Sequence, residues 1–253
     1  MESIAYIKCK LNNINITEIP EAVKEYKSDE RKGVAAAVES ALKRYNKYIA
    51  EQKRLDEMSV YENECYNNGC IYVAGIDEVG RGPLAGPVVT CAVILKKGAR
   101  IEGVNDSKKL SKAKREELYE VIVKEALDYS IGVVSPAEID EINILQATYK
   151  AMKISVDGLK IKPDFLLADA VTIPGISVKQ KGIIKGDAKS ISIAASSIVA
   201  KVTRDRMMEE YSVLYPEYDF ENNVGYGSAR HLEAIKKYGI TPIHRRTFLK
   251  NFL

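Results

Sequence analysis

The stretch I-Y-V-A-G-I-D-E-V-G-R-G-P, residues 71–83, decides the fold. Its short apolar run, 71–76, predicts a buried strand, and the turn Gly80-Arg81-Gly82-Pro83 predicts where that strand ends. Asp77 and Glu78 stand at that end, where α/β proteins place their ligands. Working outward, residues 88–95 predict a second strand, 111–127 a helix and 129–134 a third strand. Residues 137–159 predict one or two helices, with Asn143 able to cap a second. A buried strand follows Pro163 at 165–168, and 191–211 predict a long helix, apolar in its first half and charged in its second. Strands alternating with helices imply an α/β sheet covered on both faces. The tail, 227–253, predicts one more helix and then a basic end.

Upstream the composition changes near residue 70. Residues 19–66 are rich in Glu, Lys, Ala and Tyr, and Val34, Val38, Ala41, Leu42, Tyr45, Tyr48 and Ile49 recur at helical spacing. Asn67-Asn68-Gly69 reads as a turn or linker. The expected organisation is a helical N-terminal extension, 1–68, and a main α/β domain, 69–253, with a small helical part at its end. A chain of 253 residues, 46% hydrophobic and 29% charged, can bury an ordinary core without disulfide or metal staples. The net charge of +3 is too small to announce a polyanion ligand by itself. Cys9, Cys65, Cys70 and Cys91 lack zinc-site spacing and read as free thiols. The N-terminus lacks the apolar run of a signal peptide and no stretch is apolar enough to span a bilayer, so a cytoplasmic location is expected.

Asp169 repeats the arrangement of Asp77: it ends the apolar run F-L-L-A at 165–168. If the two strands are neighbours, both acids meet at one sheet edge. Asp187, in Lys185-Gly186-Asp187, precedes the long helix. Each acid has a plainer reading as well, a solvated strand end for Asp77 and Glu78 and a turn or helix-entry acid for Asp187. Clustered carboxylates without His or Cys suit a hard cation, magnesium best, because it binds through a few carboxylates plus substrate phosphate. Two such ions about 4 Å apart can drive phosphodiester hydrolysis. Zinc is disfavoured, since His231 and His244 are not at ligand spacing. Adjacent strand residues face opposite ways, so Asp77 and Glu78 share a site only if the strand breaks at Glu78 or one of them contributes its carbonyl.

Arg81, between two glycines, can offer its fork to a phosphate, or be a solvated turn residue. Cations gather as Lys108, Lys109, Lys112, Lys114 and Arg115; as Lys179, Lys181, Lys185 and Lys189; as Lys201, Arg204 and Arg206; and as His244, Arg245 and Arg246. Around an acidic centre they suit a nucleic-acid groove. Tyr226, framed by Gly225 and Gly227, is either a stacking aromatic or a turn tyrosine packed on the core.

Five runs, G-I-D-E-V-G-R-G-P-L-A-G-P-V (75–88), N-D-S-K-K-L-S (105–111), L-L-A-D-A (166–170), K-G-D-A-K-S-I-S-I-A-A-S-S-I-V-A-K-V-T-R-D (185–205) and G-Y-G-S-A-R-H-L (225–232), together closely resemble bacterial ribonuclease HII. The helical extension is similar to that of Gram-positive members. The resemblance implies a ribonuclease H-like fold and two-metal hydrolysis, with Mg2+ or Mn2+, of the RNA strand of RNA–DNA hybrids. It further implies cutting 5′ of ribonucleotides embedded in duplex DNA, leaving a 3′-hydroxyl and a 5′-phosphate. Asp77, Glu78, Asp169 and Asp187 match the family's catalytic, metal-holding carboxylates. Gly80, Arg81 and Gly82 match the loop that senses the ribose 2′-hydroxyl, and Tyr226 the tyrosine that stacks on the next deoxyribose. Ser107 and Lys108 are further expected substrate contacts, and the enzyme is expected to be a monomer with no membrane partner. Val79 departs from a frequent alanine, and Ser228-Ala229-Arg230 from a common Thr-Lys-Glu, which bears on Tyr226. Arg81 argues against the sister type III enzymes. A non-catalytic hybrid-binding protein and a two-metal phosphatase acting on small nucleotides are the competing readings.

Overall fold

The structure, a computed structural model, describes residues 2–250; Met1 and residues 251–253, the outer ends of the expected extension and main domain, lie outside the described residues. Residues up to Glu57 form one compact unit and those from Met58 onward form another. The first is helical, with α1 (Ile4–Asn13), α2 (Ile19–Ala22) and α3 (Lys32–Met58). Ser3 starts α1 by accepting from the Tyr6 amide at 3.2 Å. Arg44 closes it by donating to the Leu11 and Asn12 carbonyls, both at 2.7 Å. Ile7, Leu11, Ile19, Val34, Ala37 and Ala41 fill the core of this unit. Val38, Leu42 and Tyr45 of the predicted stripe pack against it, whereas Ile49 is exposed.

The second unit opens with α4 (Val60–Asn67) and is built on β1 (Val73–Val79), β2 (Val88–Leu95), β3 (Ala126–Val134), β4 (Phe165–Asp169) and β5 (Lys179–Ile183). They form a sheet of order β3-β2-β1-β4-β5. The β3-β2-β1 half is antiparallel and the β1-β4-β5 half is parallel. The helices are α5 (Lys112–Glu125), α6 (Pro136–Asp157), α7 (Ile191–Leu214), α8 (Phe220–Asn223) and α9 (Ala229–Tyr238). On one face, Ala74, Ile76, Ala92, Ile94, Leu166 and Ala168 meet Met152 and Val156 of α6. On the other, Val73, Leu167 and Ile183 meet Ile193 of α7 and Cys65 of α4. This alternation is the period of two that a sheet covered on both faces requires.

Gly75 sets how closely α7 lies on β1: a Cβ there would sit 2.1 Å from the Ser192 carbonyl carbon. The helix start is anchored by Glu62 of α4, whose Oε1 accepts from the Ser190 hydroxyl at 2.5 Å, the Ser192 hydroxyl at 2.6 Å and the Ser192 amide at 3.0 Å. Asn143 does cap a second helix inside α6: its backbone leaves the helical region (φ 65°) and its Oδ1 accepts from the amides of Leu145 and Gln146. β5, K-Q-K-G-I, was not anticipated; it is a polar edge strand, and Lys179 and Lys181 on it are exposed. All four cysteines are free thiols. No helix among the described residues is long and apolar enough to cross a membrane.

Candidate active site

The register between β1 and β4 runs to Ile76 opposite Ala168. Asp77 and Asp169 come next on neighbouring parallel strands, on the face that α7 covers, with strands roughly 5 Å apart. β4 stops because Ala170 takes a left-handed conformation, φ 53°, which a non-glycine residue adopts at a cost of about 1–2 kcal/mol. The chain then returns so that the Gly186 amide donates to Asp169 Oδ1 at 2.7 Å, bringing the turn that carries Asp187 alongside. β1 does not break at Glu78, the first of the two arrangements under which Asp77 and Glu78 were expected to share a site. It stays paired to β2 through Val79, and the opening comes instead from the end of β4, which leaves residues 77–79 at an uncovered edge.

Asp169 is the electrostatic hub. Its charge raises the pKa of Asp77, Glu78 and Asp187 alike. Burial is the larger cause for each: Asp77 is 6% exposed, and burial and then Glu78 push it well above the usual carboxylate range. The Ser197 hydroxyl and the Glu78 amide, the latter at 2.8 Å, donate to Asp77 and oppose that shift. For Glu78, burial outweighs Arg81, whose guanidinium lies 3.4 Å from Oε1. For Asp187, burial is followed by repulsion from Asp106 and then Asp169, with Lys108 opposing. Glu78 Oε2 is buried without a hydrogen-bond partner.

The four sequence-predicted carboxylates are therefore near enough to feel one charge. Among the described residues, however, no three His, Cys, Asp or Glu side chains are already drawn into one ligand sphere. An all-oxygen donor set, mutual repulsion and an orphaned buried oxygen fit a hard divalent cation that completes its shell with water and phosphate.

The glycine turn is held from behind by two buried arginines. Arg245, 0% exposed, donates to the carbonyls of Gly80 (2.5 Å), Arg81 (3.0 Å) and Gly86 (2.8 and 2.9 Å). Arg204, 1% exposed, donates to Ala85 (3.1 Å), Pro87 (3.0 Å) and Val224 (2.9 Å). Carbonyl dipoles in place of counter-ions satisfy these forks; burial still lowers Arg204 to about 10 and Arg245 to about 9. Gly80 (φ 89°) leaves room for the clamp, since a Cβ there would lie 2.3 Å from Arg204 Nε. Half-exposed Tyr226 sits over the same turn, its Cε1 3.5 Å from where a Gly82 Cβ would be. Arg81 and Lys108 are exposed.

The basic clusters read as groove cations need correction. Arg204, His244 and Arg245 are interior. Lys201 pairs with Asp205, Arg206 with Glu116 and Glu120, Lys112 with Glu209 and Lys181 with Glu64. Ser107 is buried too, its hydroxyl 3.0 Å from that of Ser197. Sequence reasoning missed Ser197 and Asp106 as site residues, although both lie inside motifs it quoted. The Ser228 departure is absorbed: Ser228 caps α9, accepting from the His231 amide at 3.2 Å, and Arg230 pairs with Asp219 at 3.1 Å.

A mixed sheet in this order, with acids where the adjacent parallel strands β1 and β4 stop pairing, defines a protein of ribonuclease H-like fold. The ribonuclease HII family model matches residues 74–251, and that of the ribonuclease HII N-terminal domain matches 3–66. A ribonuclease HII of Clostridioides difficile is 54% identical over 252 residues, covering 100% of this chain and 99% of the relative. One of Enterococcus faecalis is 51% identical, covering 98% and 96%. The crystal structure of the ribonuclease H2 from Pyrococcus horikoshii superposes with a TM-score of 0.61 at 32% identity, covering 72% of this chain and 96% of that one. The chain belongs to the ribonuclease HII family, type 2 ribonucleases H that cleave, as endonucleases, the RNA of RNA–DNA hybrids.

Proposed function

We propose that this chain is a monomeric, cytoplasmic enzyme that cuts hybrid RNA and also cuts 5′ of single ribonucleotides embedded in duplex DNA, the opening step of their excision. The products are a 3′-hydroxyl and a 5′-phosphate. The observation that supports the reading is geometric: Asp77 and Asp169 follow the last paired residues of adjacent parallel strands, the Gly186 amide brings the turn of Asp187 to Asp169, and the Asp169 charge acts on Asp77, Glu78 and Asp187. These four carboxylates would hold two Mg2+ or Mn2+ ions, which supply a nucleophile at neutral pH and offset charge on the leaving oxygen.

The chain's own groups prepare that edge. The Gly186 amide orients Asp169, and the Ser197 hydroxyl orients Asp77. Because Ser197 donates to Asp77, Ser107 is the donor to Ser197, so Ser107 acts on substrate through that chain. Lys108, whose charge stabilises the ionised forms of Glu78 and Asp187, faces the scissile strand. Gly80 and Gly82 let the backbone approach the ribose, Arg81 takes a phosphate, and Tyr226 stacks on the next sugar. The 2′-hydroxyl is the group that distinguishes the ribonucleotide from its neighbours.

The test is cleavage of a labelled duplex holding one ribonucleotide, with Mg2+, with Mn2+ and with excess chelator. Metal-dependent cutting 5′ of the ribonucleotide is expected. Tight binding without metal-dependent cleavage would point instead to a non-catalytic hybrid-binding protein.

A further inference from the structure

Beneath Tyr226 lies a buried pair that the proposed chemistry does not use. The chain has two histidines, and the fold brings both together out of solvent, His231 0% and His244 3% exposed. Their Nε2 atoms are 3.0 Å apart. The Thr241 amide and hydroxyl lie 2.9 and 2.8 Å from His244 Nδ1, and His231 Nδ1 lies 2.8 Å from the Tyr226 carbonyl oxygen.

One group fixes the direction of the whole chain. A backbone amide only donates, so His244 Nδ1 must accept from it, and the Thr241 hydroxyl, which can act either way, is left to donate to the same atom. A neutral imidazole carries one proton, so that of His244 is on Nε2 and is donated to His231. His231 Nε2 then accepts, its proton sits on Nδ1, and it donates to the Tyr226 carbonyl. That oxygen also accepts from the Ser228 amide at 2.8 Å, which fills both its lone pairs. A second proton on either ring would set two donors face to face.

The surroundings keep both rings neutral. Phe220 and Tyr218 pack on both, with centroids 5.2–6.2 Å away, and burial lowers both pKa values, His244 to about 4. The ionisable groups around the pair are otherwise engaged. The Tyr218 hydroxyl donates to the Gly239 carbonyl, Arg230 pairs with Asp219, and Arg245 turns to the Gly80, Arg81 and Gly86 carbonyls. Among the described residues neither ring has a carboxylate partner.

We infer that His231 and His244 are positioning residues for Tyr226, holding it at a fixed distance from the glycine turn through a one-directional chain of neutral imidazoles. His244 directly precedes Arg245, which clamps the turn from behind, while the Gly225 carbonyl accepts from the Leu84 amide at 2.8 Å. The histidine pair thus joins the segment bearing Tyr226 to the segment gripping Gly80–Gly86. The inference rests on the reading of Tyr226 as a substrate contact.

With two histidines in the chain, 15N-histidine NMR of the full protein resolves each ring. At neutral pH His244 is expected as the Nε2–H tautomer and His231 as the Nδ1–H tautomer; either ring charged, or the tautomers exchanged, overturns the inference. Kinetics on the single-ribonucleotide duplex gives the second arm. Tyr226→Ala is expected to raise KM by roughly tenfold, the scale of one stacking contact. His231→Ala should raise it comparably with little change in kcat, and should add nothing in the Tyr226→Ala background. His231→Asn, whose amide can still reach the Tyr226 carbonyl, should recover most of the loss. If Tyr226→Ala raises KM but His231→Ala does not, or if the two effects simply add, the positioning role alone fails. If Tyr226→Ala leaves KM unchanged, the substrate role of Tyr226 fails and the inference with it. Should His231→Ala not fold, the tautomer measurement on the unsubstituted protein still decides.

Discussion

Asp77→Asn should abolish cleavage and, without metal, make the protein more stable. Asp77 is 6% exposed, and its charge is opposed first by burial and then by Glu78 and Asp169. Asparagine has nearly the same shape. Its Oδ1 can still accept from the Glu78 amide, now at 2.8 Å, and its new N–H can donate to Ser197. Ser197 can turn because either hydroxyl of the Ser107–Ser197 pair can be the donor. Both contacts of the side chain, to the Glu78 amide and to Ser197, are kept while one repelled, buried charge disappears. Removing such an active-site cost is worth about 1 kcal/mol, or roughly 2–4 °C in melting temperature for a domain of this size. Saturating Mg2+ should erase the advantage, because binding at about 100 times Kd stabilises the native protein by about 2.7 kcal/mol and the variant has lost a ligand. The sign of the pH dependence follows from the raised pKa of Asp77. Its native state takes up a proton before its unfolded state does, so metal-free native protein gains stability as pH falls from above that raised pKa toward about 4. The variant has no such group, and the gap between the two should narrow over that window. Thermal unfolding in chelator and in Mg2+, beside the cleavage assay, measures all of this. A variant that melts below the unsubstituted protein in chelator, or that turns over normally, refutes the reasoning.

Arg81→Ala should leave cleavage of long hybrids largely intact while lowering the preference for a single embedded ribonucleotide by roughly tenfold, the scale of one charged hydrogen bond; unchanged discrimination in a paired-substrate assay would contradict this. Arg245→Lys keeps the charge but cannot span the Gly80, Arg81 and Gly86 carbonyls, so it should cost about 3 kcal/mol in thermal unfolding. An unchanged melting temperature would show that the clamp is dispensable.

The strand bearing Asp77 was legible because a buried strand must be apolar and its end must be punctuated, and residues 71–83 satisfy both conditions. Asn143 was legible because a side-chain cap is local chemistry. β5 was not, since an edge strand with one face in water carries no apolar period: its lysines read as surface charge. Arg204 and Arg245 misled for a related reason. Arginine is almost always exposed, and no sequence pattern announces that backbone carbonyls from a distant turn will satisfy a buried fork. The role of Ser197 was hidden likewise, because it depends on how closely Gly75 lets α7 approach β1. Proximity of Asp77 to Asp169 could be expected only on the condition that their strands are neighbours, which the sheet order supplies.

Cleavage by this chain requires Asp77, Glu78, Asp169 and Asp187 to act as one cation-binding cluster. Anomalous scattering from crystals of the protein bound to an uncleavable ribonucleotide-containing duplex in Mn2+ tests it directly. Manganese peaks touching these carboxylates and the scissile phosphate are expected. Fully loaded crystals with manganese bound elsewhere, and none at this sheet edge, would contradict it.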